Sequence, residues 1–153
     1  MPRRASKRGL TELPLVDEAW HVAIHQLRVW VTEGQERPTR PWAMVALNLA
    51  NELIVHSDVL SVYPTTAQVA EFLAEAMRRR DITLGIKPHR PALIQLEDEQ
   101  WVAELSPQLS HIGVATEQRA RPDLINNILA RLEEHLRGGP EPAGLLAGRG
   151  VKP

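Results

Sequence analysis

Trp42-Ala43-Met44-Val45-Ala46-Leu47-Asn48-Leu49-Ala50-Asn51-Glu52-Leu53-Ile54-Val55-His56-Ser57-Asp58-Val59-Leu60 is the stretch that decides the architecture. Its first six residues are almost wholly apolar, the mark of a central strand covered on both faces. Ala50-Asn51 supplies a tight turn, with Asn51 as the residue that tolerates positive φ. Leu53 to Val62 returns as a longer strand, its exposure mixed by His56-Ser57-Asp58. A helix follows Tyr63-Pro64. Thr65 is placed to cap it, and Gln68 completes a capping box. Val69, Phe72, Leu73, Ala76 and Met77 then form one buried stripe at helical spacing. Arg78-Arg79-Arg80 closes the helix, where the carbonyl end of the dipole favours positive charge and a solvated run is the plain role.

Further along, Ala92-Leu93-Ile94-Gln95-Leu96 reads as a short buried strand and Ile112-Gly113-Val114-Ala115-Thr116 as another. Both flank helices and so belong to parallel crossovers. Asp98 is the expected cap of the helix between them, with Trp101, Val102 and Leu105 inward. Pro107 predicts a kink or restart at Ser106-Pro107. The last helix is expected to start at Pro122, to bury Leu124, Ile125, Ile128, Leu129, Leu132 and Leu136, and to stop at Gly138. Ahead of the hairpin, Trp20, Val22 and Ile24 alternate with His21, Ala23 and His25. This predicts a strand over residues 19–26, then an irregular turn holding Trp30 against the core. One helix from Asp17 to Thr32 is the competing reading.

The order strand, strand, strand, helix, strand, helix, strand, helix resembles the ribonuclease H-like fold. It implies an α/β domain whose mixed five-strand sheet is a three-strand antiparallel meander followed by βαβα units, with three helices. The first, fourth and fifth strands would run parallel. A second resemblance is local. Arg40-Pro41-Trp42, Pro64-Thr65 with Ala76-Met77, Arg90-Pro91, and Leu105-Ser106-Pro107-Gln108-Leu109 leading to Ile112-Gly113-Val114 look like an uncharacterised bacterial family, a domain of unknown function, over about residues 17–137. That resemblance brings no activity. It implies acidic residues in the first strand and after the second. Here those places read His21-Val22-Ala23-Ile24 and Leu47-Asn48-Leu49, which weakens a metal-nuclease function.

Length and composition bound the rest. The chain has 153 residues, net charge −1, 43% hydrophobic residues and no cysteine. This suits one soluble domain and excludes disulfides, thiolate metal sites and a cysteine nucleophile. No apolar run approaches a membrane span and no signal peptide is evident, so the cytoplasm is the expected location. Residues 1–12 are expected to be a flexible basic tail carrying Arg3, Arg4, Lys7 and Arg8. Residues 13–137 form the single domain, and 138–153 a disordered Gly/Pro-rich tail.

Ribonuclease H-like enzymes hold two divalent metals about 4 Å apart on carboxylates from the first strand, the end of the fourth and a late helix. Glu97, Asp98 and Glu99 stand at the fourth-strand end and Glu117, Asp123, Glu133 or Glu134 at the late position, with Glu97, Asp98, Glu117 and Asp123 the preferred set and Mg or Mn the implied ion, but the first strand offers no acid between Glu18 and Leu27 unless Asp17 or Glu18 is displaced inward. Helix capping and solvated first turns account for Asp98 and its neighbours. His21 and His25 have metal-pair spacing only on a helix, since on a strand they stand about 13 Å apart. There is no Gly-x-Ser-x-Gly elbow and no phosphate-binding glycine loop. The four tryptophans suit core packing. Arg40, Trp42 and Arg90 form the candidate binding surface if the two arginines lie at one edge of the sheet. The expected function is a non-enzymatic binding or accessory module, with a protein partner or self-association and no cofactor. The alternatives are a divalent-metal nuclease or nucleotidyl-transfer enzyme on the acids named, and nucleic-acid binding through the basic tail (Arg3 to Arg8) and Arg78 to Arg80.

Overall fold

The computed structural model describes residues 9–31 and 37–137. Arg3, Arg4, Lys7 and Arg8 and the segment 138–153 lie outside the described residues. Along the chain come β1 (Leu15–Gln26), β2 (Trp42–Asn48), β3 (Leu53–Leu60), α1 (Thr66–Arg78), β4 (Arg90–Leu96), α2 (Glu99–His111), β5 (Ala115–Gln118) and α3 (Asp123–Leu136). The sheet order is β3-β2-β1-β4-β5. β2 is antiparallel to β1 and β3, while β4 is parallel to β1 and β5. This is the ribonuclease H-like arrangement implied by the order of elements.

β1 sits in the middle and is a strand throughout, laddered to β2 from Trp20↔Asn48 to Gln26↔Trp42. That pairing removes the helical alternative for residues 17–32. Side chains alternate across a strand. Trp20 and Val22 therefore enter one core with Met44 and Ala46 of β2, covered by Phe72, Leu73 and Met77 of α1 and Trp101 and Leu105 of α2. Ala23 enters the opposite core with Ala43 and Val45, covered by Ile125, Ile128, Leu129 and Leu132 of α3. The apolar run of β2 is thus explained by two helical layers. Residues 9–12 are helical and Leu10 joins the first core, so packing reaches further toward the N-terminus than Leu13.

Several local expectations are corrected. The positive φ in the β2–β3 turn belongs to Glu52 (φ 62), while Asn51 accepts the Leu53 N–H on its side chain. α2 continues through Pro107 without a restart. The bond this proline deletes belongs to the Ala103 carbonyl, on an exposed part of the helix. Asp98 occupies the N-cap position of α2, but its side chain makes no capping bond. Ile112 is the C-cap of α2 rather than a strand residue. Gly113 follows at φ +82, a conformation that turns the chain before β5 begins at Ala115. Pro122 precedes α3 in extended conformation instead of forming its first turn. Trp30 faces solvent, and Leu27 and Val29 fill the core in its place.

α1 carries the expected capping box. Thr65 Oγ1 accepts the Gln68 N–H at 3.1 Å, and Gln68 Oε1 accepts the Thr65 N–H at 2.9 Å. Thr65→Ala removes one bond of the pair and exposes an orphan helix donor. Urea unfolding of this variant is expected to show a loss of about 1 kcal/mol with an unchanged m-value.

Candidate functional site

A parallel, in-register ladder sets equivalent side chains side by side on one face. In this sheet His21 pairs with Gln95 of β4, and Gln95 with Glu117 of β5. All three belong to the face that α3 covers further along. His21 is fully buried, and its Nδ1 donates to Gln95 Oε1 at 3.2 Å. Gln95 Nε2 donates to Glu117 Oε2 at 3.1 Å. Arg119 Nη2 donates to the same Glu117 oxygen at 3.1 Å. A polar row therefore crosses three strands at the carboxyl end of the parallel half of the sheet.

Glu97 lies one residue beyond β4. Its Oε1 accepts from Arg121 Nη2 at 2.8 Å. Arg121 Nε also stands 2.6 Å from Oε2, but that approach is off the hydrogen-bond axis, so the directed bond is the one on Oε1. His21 Nε2 is 3.6 Å from the same Oε2. Arg121 Nη2 further donates to His25 Nδ1 at 3.2 Å, and Nη1 to Asn126 Oδ1 of α3 at 3.4 Å. One guanidinium thus ties together β1, the end of β4 and the start of α3. Burial pushes the Glu97 carboxyl up, but the contacts with His21 and Arg121 and the charge of Arg121 outweigh it and hold the group below its ordinary value. Burial, and then the charge of Arg121, push His25 down, in keeping with an Nδ1 that accepts rather than donates.

Of the acids predicted from the sequence, Glu97 and Glu117 come together in this network. Asp98 and Asp123 are both exposed and take no part in it. Among the described residues no group of three His, Asp or Glu side chains is placed to hold a metal ion. His21 Nε2 and Glu97 Oε2 lack hydrogen-bond partners, but the Arg121 guanidinium stands against the same carboxylate, so a divalent cation there would meet a fixed positive charge. His21, Gln95 and Arg121 were missed as site residues. The signal for the first two was strand register, which a single sequence does not reveal.

The other predicted surface does not assemble. Arg40 Nε donates to the Leu27 carbonyl at 3.0 Å, beside the end of β1. Arg90 Nε donates to the Leu13 carbonyl at 2.9 Å and its Nη1 to the Ile112 carbonyl, beside the start of β1. The two arginines therefore sit at opposite ends of the sheet. Trp42 is half-buried and packs edge-on against the exposed Tyr63, ring centroids 4.8 Å apart. Arg79 is not simply solvated, since it donates to the Val55 carbonyl and to Asp81. A second polar cluster lies at the opposite end of β1. Glu18 accepts from His89 Nε2 at 2.7 Å and Trp20 Nε1 at 3.1 Å beside a cavity of about 400 Å³. Burial pushes the Glu18 carboxyl up, and the bonds from His89, Trp20 and Asn48 bring it below its ordinary value.

Sheet order and strand directions define a ribonuclease H-like fold. The chain belongs to the family described as "Domain of unknown function (DUF6930)", whose model matches residues 6–133. No curated protein matches the sequence. Among solved structures the chain is similar to the integrase catalytic core domain of HTLV-2 in complex with magnesium, in its dimeric form. The TM-score is 0.55 at 11% identity, over 90% of this chain and 82% of that one. The trimeric form of the same core gives 0.53 at 12% identity, over 89% and 80%. The simian T-cell lymphotropic virus intasome in complex with PP2A regulatory subunit B56 gamma gives 0.57 at 14% identity, over 90% of this chain and 46% of that one. At these identities the likeness is one of fold. Among the described residues no helix is long and apolar enough to cross a membrane.

Glu18, Glu97 and His25 are all lower in the folded state than in the unfolded chain. Each therefore contributes stability above its unfolded value that is lost as pH falls through the folded one. Urea midpoints are expected to decline below pH 6.5 as His25 is charged, and more steeply below 4.5 as the two carboxylates are protonated. Glu97→Gln should flatten the lower limb. Arg121→Ala leaves Glu97 without its counter-ion. It is expected to cost roughly 1–3 kcal/mol at pH 7, less than a fully buried pair because both side chains keep some solvent contact.

Proposed function

We propose that this chain is a ribonuclease H-like domain without phosphoryl-transfer chemistry, working as a protein-interaction module. The observation that carries this is the Arg121–Glu97 pair. Two-metal cleavage of a phosphodiester needs carboxylates that converge on cations, free to stabilise both the attacking and the leaving oxygen. Here the carboxylate at the end of β4 is neutralised by a guanidinium anchored at two further points, to His25 and to Asn126. A ligand would have to displace that cation and rebuild the histidine position on β1.

The alternative, a Mg- or Mn-dependent nuclease on Glu97, Asp98, Glu117 and Asp123, has less support. Two of the four acids are exposed and outside the network. With no catalytic demand on its polar end, what the domain offers to other molecules is its exposed apolar side chains, among them Trp30, Val62 and Tyr63.

Calorimetric titration with Mn²⁺ and Mg²⁺ tests the reading, using wild type and a Glu97→Ala/Asp98→Ala variant. The expected result is no saturable heat from either protein at millimolar metal. Saturable binding by the wild type that the double variant loses would overturn it.

A further inference from the structure

We infer that His89 is a proton-dependent latch: its doubly protonated ring holds the segment between α1 and β4 against β1, and loss of one ring proton to solvent frees that segment and widens the cavity beneath it. Nδ1 stands 2.6 Å from the Lys87 carbonyl, and Nε2 stands 2.7 Å from Glu18 Oε1. A carbonyl and a carboxylate only accept, so each ring nitrogen must carry a proton for both bonds to form. A neutral imidazole has one N–H and keeps one of the two. The ring also meets Trp20 edge-on, centroids 5.5 Å apart, and the His89 backbone N–H donates to the Met77 carbonyl at 2.9 Å. One residue thus ties its own segment to β1 and to the end of α1.

The segment is folded on itself and rests on two posts. Asp81 and Ile86 exchange backbone bonds at 2.8 and 2.9 Å, and Asp81 Oδ1 accepts the Leu84 N–H at 3.2 Å. At one end Arg79 donates to Asp81 and to the Val55 carbonyl of β3. Arginine keeps its charge at any pH a folded protein meets, so this post does not respond to protons. At the other end the post is a partly exposed histidine, the side chain that ordinarily changes charge in the neutral range. Between the posts the segment walls a cavity of about 400 Å³, where Ile86 shares the lining with Val16 of β1 and with Leu53 and Val55 of β3. The charged groups at this cavity besides the ring are Glu18 from β1 and Lys87 from the segment itself. The β2 end and its turn add the neutral Asn48 and Asn51, and α1 adds the Met77 carbonyl. Despite its burial, Glu18 is held below its ordinary value by the bonds from His89, Trp20 and Asn48. It therefore stays an anion through the neutral range, and the ring is the member of the pair that changes.

The latch lies at the opposite end of β1 from Glu97 and Arg121, so it stands apart from the interaction-module reading and from the metal titration. Amide hydrogen exchange of the full chain tests it, compared between about pH 5.5 and pH 8.5, on either side of the ordinary histidine range. After correction for intrinsic rates, protection of the His89 amide is expected to fall roughly ten-fold across that interval, while amides of the β1–β2 ladder keep theirs. Nitrogen-15 shifts of the His89 ring should report two protonated nitrogens at the lower pH and one at the higher, with a midpoint that coincides with the loss of protection. His89→Gln offers one amide donor at every pH. Its protection should match the high-pH wild type and be flat. His89→Phe keeps a ring edge against Trp20 without any donor and should be flat as well. Circular dichroism melts verify that both variants fold, and the ring midpoint in the wild type decides the matter without them. Wild-type protection that does not change with pH, a ring midpoint apart from the exchange midpoint, a pH dependence that survives in a folded His89 variant, or a loss that spreads through the β1–β2 ladder would each overturn the latch.

Discussion

Pairing of β1 on both of its edges is the constraint from which the other features follow. The strand has β2 antiparallel on one side and β4 parallel on the other, so its backbone groups are satisfied within the sheet. A strand in that position must be covered on both faces, which calls for two helical layers. α1 and α2 cover Trp20 and Val22, and α3 covers Ala23. The parallel partner also demands a crossover, and α1 supplies it between β3 and β4. The hairpin to β2 and the crossover to β4 then leave the carboxyl ends of β1, β4 and β5 together at one end of the sheet.

That shared end holds two buried polar side chains, His21 and Gln95, with the half-buried Glu97 beside them. Burying His21, Gln95 and Glu97 costs solvation, which is offset only when each group finds partners. The row His21–Gln95–Glu117 and the Arg121 clamp supply most of them. In this chain a guanidinium stands against the carboxylate at the end of β4. An arginine carries its positive charge permanently and cannot be exchanged with solvent, so the charge balance of this end is built into the polypeptide.

Arginine has a wider structural part here. Arg40 closes on the Leu27 carbonyl, Arg79 on that of Val55, and Arg90 on those of Leu13 and Ile112. Each carbonyl lies where a strand or helix ends or, for Val55, at the irregularity in the β2–β3 ladder. A planar donor fork on a long apolar stem suits this task, because it reaches across an edge and satisfies acceptors that regular pairing leaves open. Charges that look like a binding surface in the linear sequence are in this way consumed by the fold.

Local chemistry was legible from the residues alone. Thr65 and Gln68 cap α1 because a capping box needs only three residues of separation. The apolar stripe from Val69 to Met77 and the two-sided burial of β2 follow from periodicity, and the succession of elements determined the ribonuclease H-like class. Boundaries set by a single backbone angle were less legible, such as the turn at Gly113 that delays β5 and the positive φ at Glu52. What tertiary structure alone decided is the company each polar side chain keeps. His21 meets Glu97 across 76 positions of sequence, and Arg121 meets His25 across 96, because strand pairing and not sequence proximity brings them together. Arg40 and Arg90 share a motif and end at opposite ends of β1 for the same reason, since one strand begins antiparallel to β1 and the other parallel to it.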